Sequence, residues 1–143
     1  MRVKSWAPAM WQSLFYIACG FYEGDWKGED FRKQTLSFYT VFLTSYLPCS
    51  LCRGSTWKYI EWLNLKSYVY SDQKYALLLF LYKLKTLVDA KLIVQDEKEF
   101  SKIQADLPTF SEIAHRYLSQ SHAYRKEEVD ANIRLLTNSL PRQ

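Results

Sequence analysis

The sequence predicts an all-α protein, and three observations carry that expectation. Breakers are scarce: 143 residues contain four Gly and four Pro, too few for the turns of a sandwich or barrel. Leu, Lys, Tyr and Glu are abundant, and apolar residues recur at three- and four-residue intervals, as one face of a helix requires. Aromatic residues make up 17% of the chain, and each ring removes much apolar area from water and so favours a compact core.

The elements follow in order. Trp6-Ala7-Pro8 opens the first helix, because the N–H that Pro lacks would be unpaired in a first turn anyway. It runs to about Tyr22, with Met10, Leu14, Ile17 and Phe21 on one face and Trp11, Phe15 and Ala18 beside it. Arg2 and Lys4 ahead of this run loosely imitate a secretory leader. Pro8, Gln12 and the helical spacing favour a buried amphipathic helix with no cleaved signal peptide. Gly24, Asp25 and Gly28 mark a loop. Glu29 or Asp30 starts the second helix, where negative charge suits the dipole. Its stripe is Phe31, Leu36, Tyr39, Leu43 and Tyr46, with Phe38 and Phe42 alongside, and Pro48 ends it.

A third helix begins at Cys49-Ser50-Leu51-Cys52 and carries Trp57, Ile60, Trp62 and Leu63. Ser71-Asp72 reads as an N-cap for a fourth, strongly apolar and central helix from Tyr75 to Leu92. Its richest part, Tyr75 to Leu84, is too short to span a bilayer and carries Lys83, so no membrane span is expected. Asp96-Glu97-Lys98 starts a short fifth helix with Phe100 and Ile103. Leu107-Pro108 breaks the pattern. Thr109 or Ser111 caps a further helix through Leu118, and a last one covers about Lys126 to Leu140. The less apolar stretch after Pro108 reads as an extension, dividing the chain into residues 1–106 and a C-terminal helical extension, 107–143.

The formal charge of +4 is mild, and the basic residues are spread along the chain as solvated faces. That pattern excludes a nucleic-acid binder. No Walker loop, GxGxxG or HExxH occurs, and no carboxylate pair for glycoside hydrolysis can be picked out.

Three cysteines are too few for a disulfide scaffold. Cys19, in an apolar stretch, reads as a small buried hydrophobe. Cys49 and Cys52 form a Cys-x-x-Cys pair, whose spacing lets a disulfide close within one helical turn. A helix N-terminus stabilises thiolate, the form that attacks disulfides or reduces an acceptor. Zinc is the competing reading, but only Cys19, His115 and His122 remain as further ligands, at irregular spacing, so no metal is expected. An incidental Cys-x-x-Cys is the other alternative. Thioredoxin-like chemistry would need a βαβ pattern, which is absent. A redox pair on a helical scaffold is the preferred reading.

Three separated segments add a resemblance. Trp6-Ala7-Pro8-Ala9-Met10-Trp11-Gln12-Ser13-Leu14-Phe15 is similar to an opening W-G-P-x-x-W-x-x-L-H. Leu47-Pro48-Cys49-Ser50-Leu51-Cys52 is similar to L-P-C-x-x-C, with Trp57, Tyr59 and Ile60 following in aromatic and aliphatic places. Leu84-Lys85-Thr86-Leu87-Val88-Asp89-Ala90-Lys91-Leu92 is similar to L-H-N-x-V-N-x-K-L. These motifs, in this order over residues 6 to 104, resemble the Erv/ALR family of FAD-linked sulfhydryl oxidases, most of all the compact members of large DNA viruses. The chain departs from the family at Ala7, Phe15, Lys85, Thr86 and Asp89, which stand where the family has Gly, His, His, Asn and Asn.

The resemblance implies a four-helix bundle with a short fifth helix, holding FAD between helices. It implies Cys49 as the outer thiol toward a dithiol protein substrate and Cys52 as the thiol toward flavin, with molecular oxygen as final acceptor. It also implies cofactor contacts at Trp6, Trp11, Phe15, Trp57, Lys85, Val88, Asp89 and Lys91. A homodimer through the first two helices, and a place in the host cytoplasm or the virion, are further implications. Two rivals stand beside this: a flavin-free thiol–disulfide relay, and a non-enzymatic helical scaffold that kept the fold.

Overall fold

A computed structural model describes residues 3–95 and 108–139. The described residues are all helical, with no strand, and their helices pack as a bundle. The helices are α1 (Val3–Glu23), α2 (Glu29–Ser45), α3 (Ser50–Leu63), α4 (Leu65–Val69), α5 (Ala76–Gln95), α6 (Phe110–Leu118) and α7 (Lys126–Ser139). The short helix expected at Asp96 to Ile103 lies outside the described residues.

Helix α5 is the centre, as its composition predicts. Leu77, Leu78, Phe80, Leu81 and Leu84 are all fully buried, and the first half of the helix, Ala76 to Leu81, is apolar and buried on every side. α1, α3, α4 and α6 pack against it. The end of α1 meets the start of α5, where the Tyr22 and Tyr75 rings lie 5.3 Å apart. The Tyr22 hydroxyl also accepts from the Leu77 N–H, so this junction is tied by both a ring contact and a hydrogen bond. Tyr39 on α2 is fully buried, and its hydroxyl donates to the Leu14 carbonyl at 2.8 Å. Among the described residues no helix is long and apolar enough to cross a membrane.

Several boundaries differ from the sequence reading. α1 starts at Val3, so Pro8 falls in its second turn rather than its first. Leu65–Val69 forms a short helix, α4, that the sequence reading did not assign. Asn64, in the left-handed region at φ 63, ends α3 and begins α4. Asn enters that region more readily than most side chains.

Ser71-Asp72 is not the N-cap of the long fourth helix. Ser71 Oγ accepts from the Gln73 N–H at 3.0 Å, closing a local turn, and α5 begins at Ala76. A donor at its start is satisfied from another helix: the Leu77 N–H reaches the Tyr22 hydroxyl at 2.7 Å. Here a tertiary contact replaces a local cap.

The C-terminal helices sit on the bundle. Tyr117 of α6 stacks on Phe15 of α1 with centroids 4.9 Å apart and rings 10° from parallel. Phe110 lies 5.7 Å from Tyr82 of α5. Thr109 caps α6 as expected, its hydroxyl accepting from the Glu112 N–H. α6 and α7 are tied by His115, whose ring nitrogens lie 2.6 Å from the Tyr124 hydroxyl and 2.7 Å from Asp130 Oδ1.

Candidate active site

The Cys-x-x-Cys pair lies at the start of α3, and local forces set its geometry. α2 ends at Ser45, and Leu47 is buried as an anchor. The Leu47 carbonyl accepts from the Arg53 guanidinium at 2.6 Å, which closes the turn around Pro48. Cys49 then takes an extended conformation, φ −150 and ψ 117, and becomes the N-cap of α3. Its sulfur accepts the Cys52 N–H at 3.2 Å, and its carbonyl accepts the Arg53 N–H at 3.0 Å. A thiol thus occupies a place usually held by a Ser or Asp oxygen. One turn on, buried Thr56 donates its hydroxyl to the Cys52 carbonyl at 2.7 Å. Both cysteines are free thiols, partly exposed.

The two sulfurs are electrostatically unlike. For Cys49, desolvation is the largest single influence and pushes the thiol up. Hydrogen bonds from Cys52 and from the Cys52 and Leu51 N–H groups, with the Arg53 charge, outweigh it and hold the thiol below its ordinary value. For Cys52, burial, the Cys49 hydrogen bond and the Cys49 charge push the thiol up to about 11, against an opposing pull from Lys91. Of the two thiols, Cys49 is the one more readily deprotonated, and Cys52 is the more buried partner. Leu51, between them, is 75% exposed and leaves the outer thiol open to approach.

The other expected site residues divide into those with an open or unsatisfied group and those engaged within the protein, and of them Lys91 alone is tied to the pair, by its charge on Cys52. Near the pair, Lys91 of α5 reaches α3 and donates to Ser55 Oγ. Trp57 stands on α3, 49% exposed, and Val88 is half-buried on α5. Trp6, near the start of α1, has a buried indole N–H with no acceptor among the described residues. The second group is engaged within the protein. Trp11 is a core residue, and Phe15 is 1% exposed beneath Tyr117. Lys85 closes on Asp89 at 2.6 Å, and Asp89 is 5% exposed.

Sequence reasoning missed Arg53, Ser55 and Thr56. Arg53 was open to notice, as a cation one residue past the pair at a helix start. Ser55 has no signal until Lys91 is seen to reach it.

A cavity of about 570 Å³ lies away from the pair, lined by Cys19, Tyr22, Lys74, Tyr75, Tyr124 and Glu128, among others. Burial, with the Glu23 charge, pushes the Cys19 thiol up to about 12. Cys19 packs against the core but is only partly buried, where the sequence reading expected a buried residue. Among the described residues no three His, Cys, Asp or Glu side chains gather as a metal would need. No protein family matches the chain, and no curated protein or solved structure does either.

Proposed function

We propose that the chain is an FAD-linked sulfhydryl oxidase that forms disulfides in protein substrates. The observation that carries this reading is the polarised pair: Cys49 caps a helix with its thiol held low, while Cys52 is recessed and held high. That asymmetry gives each sulfur a role. In the oxidised pair, a substrate thiolate attacks Cys49 Sγ and forms a mixed disulfide, and the Cys49–Cys52 bond breaks onto Cys52. A second substrate thiolate then attacks the substrate sulfur of the mixed disulfide. The substrate leaves as a disulfide, and its two electrons remain on the Cys49 and Cys52 thiols.

Three of the expected residues would suit a flat, acceptor-rich cofactor. The orphaned Trp6 N–H needs an acceptor, Trp57 offers a half-exposed ring, and Lys91 offers a cation. With half-buried Val88 they would supply the mixture of apolar wall and few polar groups that such sites use. FAD, when bound there, supplies the two-electron acceptor between the thiols and oxygen. Exposed Tyr16, Ile17, Phe38 and Val41 on α1 and α2 offer apolar surface for a homodimer. The proposed place of action is the host cytoplasm or the virion, where a dedicated oxidase offsets a reducing cytosol.

The test is an absorbance spectrum of the purified, dialysed protein, with oxygen uptake in the presence of a dithiol. The expected result is a yellow protein whose uptake is abolished by Cys52→Ser. A colourless protein that consumes no oxygen even with added FAD overturns the oxidase. A specific observation favours one other reading, the flavin-free relay. Phe15 and Lys85, both expected at the cofactor, are committed to Tyr117 and Asp89. A colourless protein that still forms mixed disulfides through Cys49 would select it.

A further inference from the structure

We infer that Lys91 is a positioning residue for Cys52: moored on α3 by Ser55, its ammonium is set toward the sulfur that must carry negative charge each time the Cys49–Cys52 disulfide opens. The inference rests on the pair cycling between dithiol and disulfide, which the oxidase and the relay share. It needs no flavin.

Geometry comes first. Lys91 lies near the end of α5, and its ammonium crosses to α3 and donates to Ser55 Oγ. Ser55 is three residues after Cys52, so the two side chains share one side of the helix a turn apart. A flexible Lys held at one end by a hydroxyl is a charge fixed in place rather than one sweeping through solvent. The charged groups that bear on the pair are divided between the two sulfurs. Arg53 acts on Cys49 and Lys91 acts on Cys52. Arg53 is also committed to the Leu47 carbonyl, so its task is the turn as much as the thiol.

The chemistry shows why Cys52 needs a cation. When a substrate thiolate attacks Cys49 Sγ, the new S–S bond forms at Cys49, and the electron pair of the old bond departs with Cys52 Sγ. Cys52 is the leaving group, and a leaving thiol departs faster the lower its pKa. Burial and the neighbouring Cys49 work against this and push the Cys52 thiol up to about 11, while Lys91 pulls the other way. Without that charge the disulfide would still form but would open slowly. Cys49 can hold its thiolate on helix N–H groups, but Cys52, inside the first turn, depends on a neighbour reaching across from α5.

The experiment reads Cys52 directly. In the full chain carrying Cys49→Ser, alkylation of Cys52 by iodoacetamide is followed against pH, with Cys19 and Cys52 resolved by peptide mapping. Adding Lys91→Met moves the Cys52 midpoint up by about one pH unit, and Lys91→Arg restores it. In the chain with both cysteines, oxidised and held without oxygen, opening of the disulfide by dithiothreitol slows about threefold in Lys91→Met, if the leaving thiol has a sensitivity near that of the attacking one. Ser55→Ala, which frees the ammonium without removing it, gives a smaller shift of the same sign.

An unchanged Cys52 midpoint in Lys91→Met overturns the inference, as does a shift that Lys91→Arg fails to restore. If Lys91→Met does not fold, an unchanged midpoint in Ser55→Ala overturns it instead. The outcome is separable from the oxidase reading. A colourless, oxygen-inert protein removes the oxidase and leaves both measurements in force. Normal oxygen uptake with an unmoved Cys52 midpoint removes Lys91 alone.

Discussion

Cys49 does two things with one sulfur. It caps α3 by accepting the Cys52 N–H, and that same bond helps hold its thiol below the ordinary value. Capping and reactivity are thus one interaction, which is why the pair could be read from sequence: Pro48 and the two-residue spacing already placed a thiol at a helix start. Cys19 shows the opposite environment. Burial is the main cause, with the Glu23 charge, of a thiol pushed up to about 12. A group whose folded pKa lies above its unfolded one stabilises the fold in its protonated form. The Cys19 contribution is therefore whole below the ordinary thiol value of 9.0 and is lost as pH rises toward 12. Cys52, raised to about 11, has the same sign. Stability in urea should fall from pH 9 upward, and Cys19→Ala should flatten that fall. An identical slope in wild type and variant would show that Cys19 is not the group responsible.

At the scale of elements, periodicity made the long helices legible, and their junctions were decided by other means. The apolar pattern of α3 carries on into Leu65 and Tyr68, so nothing in it announces the break at Asn64. The break is a backbone event: at φ 63 Asn64 donates its N–H to the Ile60 carbonyl and accepts from Ser67, turning the chain between α3 and α4. Asn64→Gly should leave the urea midpoint unchanged or raise it. Asn64→Ala should cost about 1 kcal/mol, because a Cβ opposes the left-handed conformation. The reverse order would mean that the Asn side chain, not the backbone, makes the turn. The start of α5 departs from its sequence signal for a related reason. Ser71 looks like a cap in sequence, but its hydroxyl is spent two residues on, and Tyr22, 55 residues away from Leu77, serves the helix instead.

At the scale of the molecule, the C-terminal helices are joined to the bundle through a ring stack that no local pattern could show. Phe15 is 1% exposed because Tyr117 lies flat against it, and Tyr16 meets the same ring edge-on. Tyr117→Ala should lower stability by about 2 kcal/mol, the sum of lost apolar burial and lost ring contact, with Tyr117→Phe keeping most of it. Calorimetric melting of both variants checks this, and a Tyr117→Ala chain melting like wild type would mean that α6 contributes nothing to the bundle. By itself the sequence determined the all-α class, the central apolar helix and the Cys49–Cys52 pair at a helix start. These depend on spacing and on neighbours in the chain, which a sequence records. Only the tertiary structure decided that Lys91 reaches Ser55 on α3, that Lys85 is closed on Asp89, and that Phe15 is stacked on by Tyr117. Two of those three join separate helices. The third is a local i,i+4 pair on α5, and only the burial of Asp89 is a tertiary fact.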